Sequence, residues 1–154
     1  MKIQDRVLQA SDDTDFITLR TICPIVEDNE MDLLPAIKDD MLKILESSNA
    51  RGLAAPQVGL LKRILILKTN MMQNILFMAN PNIVKSSSMC LYYKEGCLSL
   101  PDIRVTTNRS RQVTVEYFDE NGTVQVKRLG GIDAVCVQHE IDHLNGILMT
   151  ARGR

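Results

Sequence analysis

Only two histidines occur among the 154 residues, and both lie in the stretch Gln138-His139-Glu140-Ile141-Asp142-His143. Residues four apart on an α-helix share a face, so His139 and His143 can present two ring nitrogens to one cation. Glu140 directly follows the first of them, where a carboxylate sits beside a metal without binding it and can act as general base. The pattern carries meaning only on a helix, and a surface helix with two histidines and a glutamate is the plain alternative. The flanks favour a helix that matters: Gly130-Gly131 can start it and Gly146 can end it as the C′ residue. Ile132, Val135, Cys136, His139 and His143 recur at helical spacing, which predicts that the ligand face continues an inward apolar face.

A four-coordinate hydrolytic site uses three protein ligands and keeps one position for water. After His143 the chain reads Leu144-Asn145-Gly146-Ile147-Leu148-Met149-Thr150-Ala151-Arg152-Gly153-Arg154, without a His, Cys, Asp or Glu. The third ligand must therefore come from upstream, which excludes the common protease layout that draws it from beyond the helix.

The elements that must position these residues are those of one ordinary domain. Hydrophobic residues make up 45% and charged residues 24%, enough apolar material for a real core in 154 residues. A formal net charge of −1 offers no basic field for nucleic acid or an anionic membrane. No apolar run approaches the length of a membrane span. The first residues lack a secretory apolar core and carry acids that a transit peptide avoids, which predicts a cytoplasmic protein. Cysteines stand at 23, 90, 97 and 136 with no Cys-x-x-Cys pair, a pattern that suits a reducing compartment better than a disulfide framework.

Residues 1–14 are polar and aperiodic and read as a loose or peripheral arm. Residues 22–26 read as extended, because a residue before proline avoids the α region. A first helix is expected over about residues 33–47, with Asp32 as cap, Pro35 in the tolerant first turn and an inward stripe of Ala36, Ile37, Met41, Ile44 and Leu45. The small residues from Asn49 to Gly59 mark a tight connection to a strand at 63–67. Gln57 is the one polar side chain there with no evident structural duty, and a buried amide can donate to a substrate oxygen. Further strands are expected at 75–79, 83–85, 112–118 and 124–129, the last two joined by an Asn121-Gly122 hairpin. Cys97 follows a glycine on an extended segment; such a residue is most often a small buried hydrophobe. One helix, several antiparallel strands and a C-terminal helix carrying the motif give an α+β fold in a single domain over 1–154.

Three stretches in this order resemble the signature blocks of peptide deformylases: Gly52-Leu53-Ala54-Ala55-Pro56-Gln57, Glu95-Gly96-Cys97-Leu98-Ser99 and Gln138-His139-Glu140-Ile141-Asp142-His143. The resemblance covers roughly residues 15–150, and three ordered motifs are far more specific than one. It implies that Cys97 is the upstream ligand beside His139 and His143. It further implies a divalent metal that lowers the pKa of a water towards ~7. Glu140 would then shuttle the proton, while Gln57 and the Leu98 backbone N–H meet the oxyanion. The implied substrate is the N-formyl group of a nascent peptide that begins with methionine, and the product is formate. Ile132, Val135 and Cys136 would line the methionine pocket, and Gly52 and Gly96 would let the substrate backbone pair as an added strand. Arg104 and Arg109 would pair with Glu95 to hold the ligand loop. The family implies Fe²⁺ in cells, although Zn²⁺, Ni²⁺ and Co²⁺ suit the same donors.

Two departures from the family pattern stand out. Ala50-Arg51-Gly52 replaces Gly-apolar-Gly, which puts Arg51 at the mouth of the groove as a solvated side chain or as a substrate contact. The chain also stops soon after the metal helix, which resembles phage-encoded members and would weaken any contact with the ribosome exit region. Two other classes stay open: a different metal-dependent amidohydrolase with the same ligands, and a domain whose structural zinc is closed by a fourth protein ligand.

Overall fold

The computed structural model describes residues 1–69, 74–88 and 90–153. The Cys90 side chain and Arg154 lie outside the described residues. The elements in chain order are α1 (Asp13–Leu19), α2 (Leu34–Glu46), β1 (Gly52–Ala54), β2 (Ile64–Lys68), β3 (Ile75–Ser86), β4 (Cys90–Cys97), β5 (Leu100–Ser110), β6 (Gln112–Phe118), β7 (Val124–Gly130) and α3 (Gly131–Leu144). Short 3₁₀ turns occupy Asp28–Leu33, Ala55–Val58 and Met149–Arg152. Five strands form an antiparallel sheet in the order β1-β2-β3-β6-β7, and β4 pairs with β5 in a separate antiparallel ribbon. The fold is α+β.

The layering follows from β2. Its residues Ile64, Leu65, Ile66 and Leu67 are all buried, as a strand covered on both faces requires. Ile64 and Ile66 join Leu34, Ile37, Met41 and Leu45 of α2, whereas Leu65 and Leu67 join Ala134, Val137, Ile141 and Leu144 of α3. Side-chain alternation along one strand thus places the sheet between the first long helix and the helix that carries the histidines.

Several expectations need correction. The helix over 33–47 is α2, Leu34–Glu46, and it grows out of the 3₁₀ turn, so Leu33 rather than Asp32 is the N-cap and no side chain caps it. Ala36 of the expected inward stripe is exposed, and Leu34 takes the inward role. The arm is not loose. It leads into α1, capped by Asp12, whose side chain accepts from the Asp15 N–H at 2.9 Å, and Leu8 is buried. The strands expected at 75–79 and 83–85 are one strand, β3, that crosses Asn80-Pro81-Asn82 with a register shift. Asn80 adopts φ 51°, and its side chain accepts from Val26 N (2.8 Å) and donates to Val26 O (2.9 Å). That clamp lets the chain carry a proline at an irregularity and resume pairing beyond it. Strand β5 carries too few apolar residues in alternation to be expected, yet it pairs with nearly the whole of β4. On α3, the apolar residues that meet the sheet are Ala134, Val137, Ile141 and Leu144, with Cys136 packed at their margin; Val135 is buried outside this cluster and Ile132 is only partly buried.

Helix α3 ends as its glycine implies. Asn145 is the C-cap, and Gly146 follows at φ 70° with a Cβ position only 2.4 Å from the Arg20 carbonyl oxygen. Gly146→Ala combines left-handed strain with a backbone clash and is expected to destabilise the protein by about 1–3 kcal/mol. Urea unfolding should show this as a lower midpoint with an unchanged slope.

Candidate metal centre

Two elements far apart in sequence meet here. Cys97 closes β4, just past a register shift between Glu95 and Cys97, and His139 and His143 project from α3. All three are buried, and their ligand atoms lie within 4.8 Å of one another. Cys97 Sγ is 3.4 Å from His143 Nε2, and the two imidazoles stand edge to face with centroids 5.0 Å apart. Among the described residues no fourth His, Cys, Asp or Glu joins this cluster.

Alternation in the ribbon selects what surrounds it. Glu95, Cys97, Thr107 and Arg109 point inward and are buried, while Lys94, Gly96, Thr106 and Asn108 are exposed. Glu95 accepts hydrogen bonds from Thr107 Oγ1 and Arg109 Nε, from Arg109 Nη2 at 2.9 Å and from His139 Nδ1 at 2.7 Å. Burial opposes its charge, but the hydrogen bonds from His139, Arg109 and Thr107 outweigh that and bring its carboxyl down to about 2. With Nδ1 committed to Glu95, His139 turns Nε2 towards the cluster. Arg109 also donates to Asp142 at 2.9 Å, and Arg152 reaches the same carboxylate at 3.1 Å. The expected Arg109–Glu95 pair is present. Arg104 does not join it: its guanidinium donates to the Ile103 carbonyl and lies where a side chain at Gly96 would stand, 2.6 Å from that Cβ position.

Glu140 is buried beside the triad, with Oε1 4.0 Å from His143 Nε2 and no hydrogen-bond partner among the described residues. Burial pushes its carboxyl up to about 7, the range in which a group can both take and return a proton at neutral pH. The space for it comes from Gly52, whose Cβ would stand 2.7 Å from Glu140 Oε2. Gln57 is 2% exposed. Its Oε1 accepts from Ala54 N at 3.0 Å, which orients the amide so that Nε2 faces Ser99 Oγ (3.2 Å) and Cys97 Sγ (3.6 Å). Gly52 and Gly96 therefore leave room for Glu140 and Arg104 in the first place.

A cleft of about 340 Å³ opens over these groups. Arg51, Gly52, Gln57, Gly96, Leu98 and Arg104 line it from the strands and turns, and Val135, Cys136, His139 and Glu140 line it from α3. Ile132 does not reach it. It sits in the first turn of α3, one turn before Val135, and is not among the residues that line the cleft. Tyr93, Lys94 and Pro101 also line the cleft and were not anticipated. Extending alternation backwards from Cys97 would have placed Glu95 and Tyr93 inside. Asp142 was hidden because the motif marks its position only as a variable residue.

The donor set fits a divalent transition metal: one thiol and two imidazoles converge, with a partnerless carboxylate oxygen adjacent. Burial holds His143 well below its ordinary pKa, so its ring is neutral and able to ligate. Burial also opposes charge on His139, but hydrogen bonds to Cys97 and Glu95 raise it to about 10, so an entering cation displaces a proton there. Replacing Glu95 removes the acceptor that orients His139. Glu95→Gln is expected to weaken metal binding by about 10–100-fold, measured by competition with a chromophoric chelator.

Comparison with known proteins agrees with this geometry. The family model described as polypeptide deformylase matches residues 5–154. A peptide deformylase from Rhizobium meliloti (strain 1021) is 41% identical over 133 residues, spanning 84% of this chain and 76% of that protein. The Met-Ala-Ser-bound crystal structure of class I type b peptide deformylase from Acinetobacter baumannii superposes with a TM-score of 0.87 at 34% identity, covering 99% of each chain. A probable peptide deformylase from Synechococcus phage S-SSM7 gives a TM-score of 0.87 at 30% identity, over 98% of this chain and 99% of that one. Ordered motifs, α+β fold and a buried Cys-His-His cluster point the same way, and the chain belongs to the polypeptide deformylase family.

Proposed function

We propose that this deformylase removes the N-formyl group from methionine at the start of nascent polypeptides by using Cys97, His139 and His143 to hold one divalent cation and Glu140 to move the proton. The observation that carries this is the buried triad with the partnerless Glu140 oxygen beside it. When bound, the cation supplies a Lewis acid and a water of lowered pKa. Glu140 takes the proton of the attacking water and returns it to the leaving nitrogen. Gln57 Nε2 exchanges its contacts with Ser99 and Cys97 for the substrate oxygen, and the Leu98 backbone N–H is the second donor. Formyl is the smallest acyl group, so close packing around the reacting carbon would reject acetyl by size.

The Met-Ala-Ser peptide held by the Acinetobacter enzyme supports a peptide substrate that begins with methionine. Here Val135 and Cys136 form the wall for its side chain, and the peptide backbone lies between β1 at Gly52 and β4 at Gly96. Both strands end their sheets, so each has backbone groups free to pair. Arg51 and Arg104 stand over the cleft where residues after methionine pass. Fe²⁺ is the cellular ion we favour, with Zn²⁺, Ni²⁺ or Co²⁺ able to take the same donors. The site of action is the cytoplasm of a bacterial or phage-infected cell. No described helix is long and apolar enough to cross a membrane.

Anaerobically purified protein with its metal content measured should release formate from formyl-Met-Ala without cutting the peptide bond. Peptide-bond cleavage, or no formate from metal-loaded protein, refutes the reading. Glu140→Gln keeps shape but cannot take the proton; kcat should fall about 10²–10⁴-fold at unchanged metal stoichiometry.

A further inference from the structure

The amino-terminal residues hold the cleft from behind. Leu8 N donates to the Gln57 carbonyl at 2.7 Å, and Gln4 N donates to that of Val58 at 2.8 Å. Ala10 N donates to the Ser99 carbonyl at 3.0 Å, and Gln9 Nε2 donates to the Leu98 carbonyl at 3.1 Å. The two backbone segments so gripped are some 40 residues apart in sequence and carry the two donors assigned above to the substrate oxygen.

The strap is itself well anchored. Asp15 is 5% exposed, and its carboxylate accepts both Arg6 terminal nitrogens at 2.8 Å and Gln9 N at 2.9 Å. Leu8 packs with Leu19 and Leu148 in a small cluster of its own. Gln9 Nε2 also donates to the Val7 carbonyl at 3.2 Å, so its amide is held at a fixed place. A hydrogen-bond donor that serves a developing oxyanion is effective only when its direction is fixed before reaction.

We propose that the strap formed by residues 7–10 is a positioning element for catalysis, with Gln9 as its positioning residue. By holding the Leu98 carbonyl, Gln9 fixes the Leu98-Ser99 turn and with it the direction of the Leu98 N–H. Leu8 does the same for the Gln57 backbone. The inference rests on Gln57 and Leu98 being the oxygen donors.

Gln9→Ala removes the amide, Gln9→Glu keeps its shape but presents an acceptor, and Gln9→Lys keeps an N–H donor within reach. With formyl-Met-Ala as substrate, the Ala and Glu variants should lose kcat about tenfold, less than the ~10²–10³-fold that loss of a whole oxyanion donor costs. KM, metal stoichiometry and melting temperature should stay near those of the parent, and Gln9→Lys should recover most of the rate. Unchanged kcat in Ala and Glu overturns the proposal, and so does a loss that tracks metal content or melting temperature. Gln57→Leu on the same footing separates the layers. If it keeps parental kcat, the donor assignment falls and the strap's role with it; if it loses kcat while the Gln9 variants do not, only the strap proposal falls.

Discussion

Arg109 lies buried between two carboxylates, Glu95 on β4 and Asp142 on α3, and this bridge joins the ribbon that ends at Cys97 to the helix that bears both histidines. A buried charge costs several kcal/mol in lost hydration unless its partners are close and well aligned. Here the guanidinium has two carboxylates, and Glu95 has Thr107 and His139 as further donors. Removing any one partner would leave a buried charge uncompensated. While the network is complete, Cys97, His139 and His143 have one mutual arrangement, and one network sets both the spacing and the His139 ring orientation.

The cleft inherits its shape from positions where side chains are missing. Gly52 ends up under the Glu140 carboxylate and Gly96 under the Arg104 guanidinium, each with less than 3 Å to the place of a Cβ. The carboxylate that the motif supplies can lie beside the cluster only because the neighbouring strand carries nothing there. Likewise, Gln57 points inward because Ala54 N–H takes its oxygen, which leaves the nitrogen for the site. His139 and Gln57 are each oriented by a partner on another element, Glu95 on β4 and Ala54 on β1, so the β1 edge, the ribbon and α3 act together. The amino-terminal segment adds a fourth contributor through the Gln57 and Leu98 carbonyls.

Much of this was legible in the residues. Helical spacing placed His139 and His143 on one face, counting excluded a downstream ligand, and Asn121-Gly122 and Gly146 marked a turn and a helix end that the backbone adopts. What local pattern missed were elements whose reason is tertiary. Strand β5 has weak alternation of its own and exists because β4 needs a partner. The continuation of β3 past Pro81 depends on Val26, 54 positions away from Asn80. The inward stripe on α3 holds for Val135, His139 and His143, but it missed Ala134, Val137, Ile141 and Leu144, because that helix is covered on several sides and burial no longer picks out one face.

The sequence by itself determined the chemistry on offer: two imidazoles and a carboxylate at helical spacing, a thiol and an amide upstream, and apolar runs long enough to enclose them. Only the tertiary structure decided that the sulfur faces the imidazoles, that Glu140 Oε1 has no hydrogen-bond partner among the described residues, and that residues 1–14 grip the cleft. Those outcomes depend on contacts between segments tens of residues apart, and no periodicity within a segment encodes which other segment will lie against it.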